Sequence, residues 1–144
     1  MAVKRPSKNS KLVALLNRAL GWELRAQALY AHYAAYVKGL ESLALAGRFE
    51  AETAESVAHA KQVRDAIAML GGVAVTVRDP APIVHTDDTR AMLREALKTE
   101  AAAAAVYRRI VPLVKDNSII FHSLSHVMMD EMKAVVGLES LLAR

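Results

Sequence analysis

Leu12-Val-Ala-Leu-Leu16-Asn-Arg-Ala19-Leu-Gly-Trp-Glu23-Leu-Arg-Ala26-Gln-Ala-Leu-Tyr30-Ala-His-Tyr33-Ala-Ala-Tyr-Val37 returns to an apolar or small residue every third or fourth position, with one exception, Glu23. That spacing is the buried stripe of a long helix, running from about Ser10 to Val37. Three more stripes follow. Leu45, Phe49, Glu52, Ser56, His59, Val63, Ala66 and Leu70 mark a second helix from about Glu41 to Leu70. Leu93, Leu97, Glu100, Ala104, Tyr107, Val111 and Val114 mark a third, from about Asp88 to Val114. Ile120, Leu124, Val127, Glu131, Val135, Leu138 and Leu142 mark a fourth, from about Ser118 to Ala143. Each stripe carries a polar residue near its middle: Glu23, His59, Glu100 and Glu131. Helices packed side by side share one middle layer, whichever way each runs. Three carboxylates and an imidazole would then meet in the core. A buried, unpaired carboxylate costs several kcal/mol unless it is protonated or bound to a cation. A metal site inside the bundle is the economical reading. For any one of these residues alone, a mistaken period or a wet bundle end explains as much.

The connections set the topology. Gly39 follows the first stripe, so the first two helices should be antiparallel neighbours. Gly71 and Gly72 stop the second helix. Residues 73–86 follow, with Pro80 and Pro82 forbidding helix. Val73, Val75 and Val77 alternate as in a strand, but the sequence offers no partner strand. Extended, this link reaches roughly 45 Å, about the length of a 28-residue helix. It can cross the whole bundle and leave helices two and three parallel. Thr86 or Asp87 can cap the third helix, and Pro112, Asp116 and Asn117 mark the turn into the fourth.

The 144 residues suit one domain, residues 11–144, behind a basic lead-in over 1–10 with an N-cap near Ser10. Hydrophobic residues reach 53% with only 5% aromatic, an alanine-rich balance that suits close helix packing. With no cysteine, disulfides, thiolate metal sites and cysteine nucleophiles are excluded. That composition is compatible with a cytoplasmic protein. No apolar run approaches the length of a membrane span. The net charge of +4 is too small to make the folded body a nucleic-acid binder. Lys4, Arg5, Lys8 and Lys11, however, form an acid-free start. It is either a solvated tail or a tether to DNA or another polyanion. His122, His126 and Asp130 form an i, i+4 ladder, but on a face turned from the stripe, where a surface or subunit contact is expected. His32 and His85 receive no role, and the six methionines read as core filler.

Several stretches together resemble the bacterioferritins: Leu15-Leu16-Asn17-Arg18-Ala19-Leu20-Gly21-Trp22-Glu23-Leu24, Tyr30, Glu55-Ser56-Val57-Ala58-His59-Ala60, Leu70-Gly71-Gly72, Met92-Leu93-Arg94 ahead of Glu100, and Asp130-Glu131. The likeness spans residues 11–143. It implies an all-α, ferritin-like four-helix bundle with a long crossover between helices two and three, and iron bound inside each bundle. Glu23 and Glu100 then match the terminal carboxylates, His59 the histidine of helix two, and Glu131 the bridging glutamate of helix four. Tyr30 matches a tyrosine beside the site that can supply an electron.

Two positions depart from that pattern. Ser56 stands where the family has a bridging glutamate, and Ala134 where it has a second histidine. Glu55, four residues before His59, is a substitute ligand or a solvent-facing acid. Glu52 lies two turns from His59, too far for the same ion. Carboxylate and imidazole without sulfur suit iron, manganese or zinc. One tight and one weak position per bundle are expected. No haem is expected, because Val57 replaces the methionine that holds haem in bacterioferritins. The short fifth helix of the bacterioferritins is not expected, because the sequence stops directly after the fourth helix. A homo-oligomer is expected, built from dimers and resembling the twelve-subunit cages. Three readings remain: an iron protein that oxidises or stores iron at an altered centre, a shell or dimer with a relict site acting in assembly or polyanion binding, and a two-iron enzyme acting on an organic substrate. The last is weakened by the missing ligands.

Overall fold

In a computed structural model that describes residues 8–144, the four stripes become four helices: α1 (Lys8–Tyr36), α2 (Ser42–Met69), α3 (Thr89–Ile110) and α4 (Ser118–Leu142). Residues 1–7, and with them most of the basic lead-in, lie outside the described residues. α1 already includes Ser10, so Ser10 is not its N-cap. α3 stops four residues early. Pro112 lacks an amide hydrogen, and residues 111–114 tighten into a 3₁₀ turn that still buries Val111 and Val114. The α3 cap is Asp88, whose Oδ1 accepts from Arg90 N at 3.0 Å. Thr86 instead accepts from Asp88 N, and Asp87 pairs with Lys38. Asn117 caps α4 by accepting from Ile120 N.

The glycine stops act as expected. Gly71 adopts φ +78°, and its amide donates to Ala68 O while Gly72 N donates to Ile67 O. These two bonds close α2 in a Schellman motif, which needs a left-handed residue at that step.

The crossover runs along α1 and shows which way the helices point. Asn17 binds the backbone of Val73 and Val75, Gly21 O accepts from Asp79 N, and Tyr33 donates to Val84 O. Ascending the crossover therefore ascends α1, and α3 begins beside the C-terminal end of α1. Contacts from α1 to α3 then descend: Arg25 bonds Thr99, and Glu23 accepts from Tyr107. So α3 is antiparallel to α1 and parallel to α2. Arg25 is the clamp of this arrangement. It is buried, with its guanidinium 5.6 Å from the Trp22 ring, and donates to Ala81 O and Pro82 O as well as Thr99.

The apolar core falls into two clusters. One gathers Leu16, Leu20, Val63, Ile67, Tyr107, Ile110, Ile120 and Leu124. The other gathers Leu29, Tyr30, Tyr33, Phe49, Met92, Ala96 and Leu138. Met92 is the one described methionine in these cores; Met69 and Met129 are exposed, so methionine is not general core filler. Between the clusters lie the buried polar residues Glu23, Ser56, His59, Thr99, Glu100 and Glu131. No helix among the described residues is long and apolar enough to cross a membrane.

Candidate metal centre

Periodicity brings one polar side chain per helix to the middle layer, and antiparallel pairing sets their register. Glu23 comes from α1, His59 from α2, Glu100 from α3 and Glu131 from α4; each is at most 4% exposed. His59 Nδ1 stands 2.9 Å from Glu131 Oε1 and 3.5 Å from Glu23 Oε1. Glu23, His59 and Glu131 each bring a donor atom within 4.8 Å of the other two.

The opposite edge of the imidazole meets a second set. His59 Nε2 lies 3.0 Å from Asp130 Oδ2 and 3.6 Å from Glu55 Oε1. Glu55 thus leans toward His59, but at the nitrogen turned away from Glu23 and Glu131. It joins His59 and Asp130 in a separate, half-exposed group. Asp130 was expected on the outer ladder with His122 and His126. Those two histidines are exposed with rings 4.6 Å apart, but Asp130 turns the other way, to α2.

Charge in this layer is balanced by protons. Burial opposes a charged His59, but its hydrogen bonds to Glu131 and Glu23 outweigh that and raise it to about 11. It is an imidazolium with both N–H groups aimed at carboxylates. Burial lifts Glu131 to about 7. Burial, with Glu131 adjacent, pushes Glu100 well above the carboxylate range. Even so, Glu23 Oε2, Glu131 Oε2 and Glu100 Oε1 are buried without a hydrogen-bond partner, as is the Tyr30 hydroxyl. Native interiors rarely leave such atoms unpaired. Tyr30 is raised by burial and by Glu100, so it holds its phenolic proton.

Three neighbours were missed in the sequence. Tyr107 donates to Glu23 Oε1 at 2.8 Å, deep in the core. Its signal was readable, since a buried tyrosine hydroxyl needs a partner. Glu52 is raised to about 7 by burial first, then by Glu100 and Glu55, which puts it in the field of the layer rather than apart from it. Asp130 carried no such signal, because its role depends on how α4 is rotated against α2. At the two departures from the bacterioferritin pattern, Ser56 is buried in the layer and Ala134 is half-buried on α4.

The donor set suits an oxygen-preferring transition metal. Three carboxylates and one imidazole converge, three carboxylate oxygens lack partners, and the outer carboxylate on His59 Nε2 is the usual support of a metal-binding histidine.

Comparison with known proteins shows the family and the fold. The ferritin-like domain family matches residues 13–143. A ferritin-like, diiron-carboxylate protein of Bacillus anthracis superposes with a TM-score of 0.87 at 26% identity, covering 96% of this chain and 99% of its own. The bacterioferritin-related protein of Bacteroides fragilis, a dodecameric thioferritin, gives 0.85 at 24% identity, with 94% and 86% covered. The bacterioferritin of Desulfovibrio desulfuricans gives 0.80 at 19%, with 99% and 84% covered. No curated protein matches the chain.

Proposed function

Because the chain belongs to the ferritin-like family, we propose that its bundle binds iron in the Glu23–His59–Glu131 layer, as a centre for iron oxidation and storage. The observation that carries this reading is the set of unpartnered carboxylate oxygens on Glu23, Glu100 and Glu131, all buried around one imidazole. The first position takes Glu23, His59 Nδ1 and Glu131. The second takes Glu100 and shares Glu131. It is the weaker position, because Ala134 supplies no second nitrogen and Ser56 no second bridge. Manganese or zinc fits the same donors.

Ferrous iron is the substrate, giving up an electron to dioxygen. The chain's part is to hold the ion and to move protons. His59 must release the proton on Nδ1 before that nitrogen can bind, while Asp130 keeps the proton on Nε2. Glu100 must give up its own proton to serve the second position. Tyr30 can yield an electron only together with its proton, and Glu100 is the acid that bears on it.

A second reading keeps the bundle as a shell with a relict centre. It is favoured by the way protons already neutralise the layer, through the His59 cation and a neutral Glu100. Calorimetric titration with ferrous, manganous and zinc ions separates the two. The iron reading expects one tight equivalent per chain, abolished in Glu23→Ala and in His59→Ala and kept in Glu52→Ala. Absence of binding among these bundle residues at millimolar metal leaves only the shell.

A further inference from the structure

Outside the bundle interior, two histidines from distant parts of the chain meet at the surface. His32 belongs to α1, and His85 stands on the crossover ahead of α3. His32 Nε2 lies 3.0 Å from His85 Nδ1, with the rings at 81° to each other. The Tyr36 ring lies against both, 4.8 Å from His32 and 4.5 Å from His85 between centroids. Asp87 Oδ1 stands 3.8 Å from the far nitrogen of His85, Nε2, and Asp87 is tied to Lys38 at 3.4 Å. The backbone beneath is anchored, because Tyr33 donates to Val84 O one residue before His85.

We infer that His32 Nε2 and His85 Nδ1 form a binding site for a divalent cation of the zinc, copper or nickel class, separate from the bundle centre. Two imidazoles can share a metal only if the facing nitrogens both present lone pairs. The Asp87 carboxylate, at 3.8 Å from Nε2 beyond a direct hydrogen bond, still favours a proton on that nitrogen through its charge, which leaves His85 Nδ1 free. On a tetrahedral zinc, with bonds of about 2.0–2.1 Å, two nitrogens stand about 3.3 Å apart. The observed 3.0 Å is within a few tenths of an ångström of that.

The donor type sets the choice of metal. Two nitrogens and no facing carboxylate select the later first-row ions, whereas the oxygen-rich bundle suits iron and manganese. Two protein ligands leave coordination positions open to water, so the site is weaker than a closed four-ligand one. Its effect is mechanical, since an ion there clips the end of the crossover to α1.

Zinc alone is the probe. The full chain is stripped of metal and carries His122→Ala and His126→Ala, which removes the other imidazole pair. It is titrated calorimetrically, and its crystals are soaked for anomalous scattering at the zinc edge. We expect a zinc peak bonded to His32 Nε2 and His85 Nδ1. One zinc equivalent per chain should vanish in His32→Ala and in His85→Ala, yet persist in Glu131→Gln, which disables only the bundle centre. Asp87→Asn should weaken binding roughly tenfold. In the Glu131→Gln background, where the bundle centre is disabled, the zinc-dependent rise in melting temperature should be lost in His85→Ala, whose exposed side chain is not needed to fold. Unchanged zinc stoichiometry in both histidine variants, or anomalous zinc confined to the bundle, overturns the assignment.

Discussion

Each ring nitrogen of His59 faces a different pair of acids, and the two sides have different duties. Glu23 and Glu131 face the interior, where an ion would sit; Asp130 and Glu55 face outward, where a proton is held. Tyr107 fixes Glu23 in the same way that Asp130 fixes His59. Tyr107→Phe should therefore weaken the tight metal position about tenfold while costing the fold only about 1 kcal/mol. Calorimetry and thermal melting of the one variant read both numbers, and an unchanged affinity would remove Tyr107 from the centre. The metal-free protein should also depend on pH in a stated direction. Glu131 and Glu52 are each raised to about 7 in the folded state, from an ordinary 4.5. An acid with a raised folded pKa favours the fold while protonated, so stability falls as pH climbs from 4.5 through 7. His59, raised to about 11, adds stability that is full below 6.5 and lost as pH rises through 11. All three act in one direction. Metal-free protein should unfold more easily in denaturant at pH 8 than at pH 5, and Glu52→Gln should recover part of the difference. A metal-free stability that rises across this range would contradict these assignments.

At the scale of the helix, much could be read from the chain because burial repeats every three to four residues. Leu16, Ala19, Tyr30, Tyr33, Val63, Tyr107, Leu124 and Val127 were all on the predicted stripes and all are buried. Leu20, Leu29, Ile67, Met92 and Ile110 are equally buried but lie beside the stripes, because an interior helix is covered over more than one line of contacts. The polar layer was legible for the same reason as the stripes. What was not legible depended on register between helices. Which nitrogen of His59 meets Glu55, and that Asp130 turns to α2, follow from how two helices are rotated against each other. The crossover was legible as a long non-helical span, but Arg25 was not recognisable as its clamp, since it reads as one more surface arginine. Arg25→Ala removes bonds to Thr99, Ala81 and Pro82; Ala81 O keeps its bond from Arg78 Nη1, while Pro82 O and Thr99 Oγ1 lose the Arg25 donor. The substitution should destabilise the chain by about 2–3 kcal/mol. A shift in denaturation midpoint equivalent to less than about 0.5 kcal/mol would show that the crossover is held elsewhere.

The whole molecule presents more apolar surface than a lone bundle needs. Leu43 and Val57 on α2, Tyr36 at the end of α1, and Val73, Val77 and Val84 on the crossover are all exposed. Such a surface favours self-association, and we propose a dimer-based homo-oligomer. Val57, half-exposed there, offers no sulfur to a haem. Light scattering should give a multiple of the chain mass at micromolar concentration, with no stoichiometric Soret band in the purified protein. A monomer would rule out the oligomer, and a stoichiometric haem spectrum would show that the bundle does hold haem.

The proposed function requires an ion to enter the layer between the two apolar clusters. Anomalous scattering at the iron edge, from crystals soaked anaerobically in ferrous iron, tests that most directly. A strong peak among Glu23, His59 and Glu131, with a weaker one beside Glu100, is the expected result. A map with no iron in the bundle at millimolar concentration would contradict it.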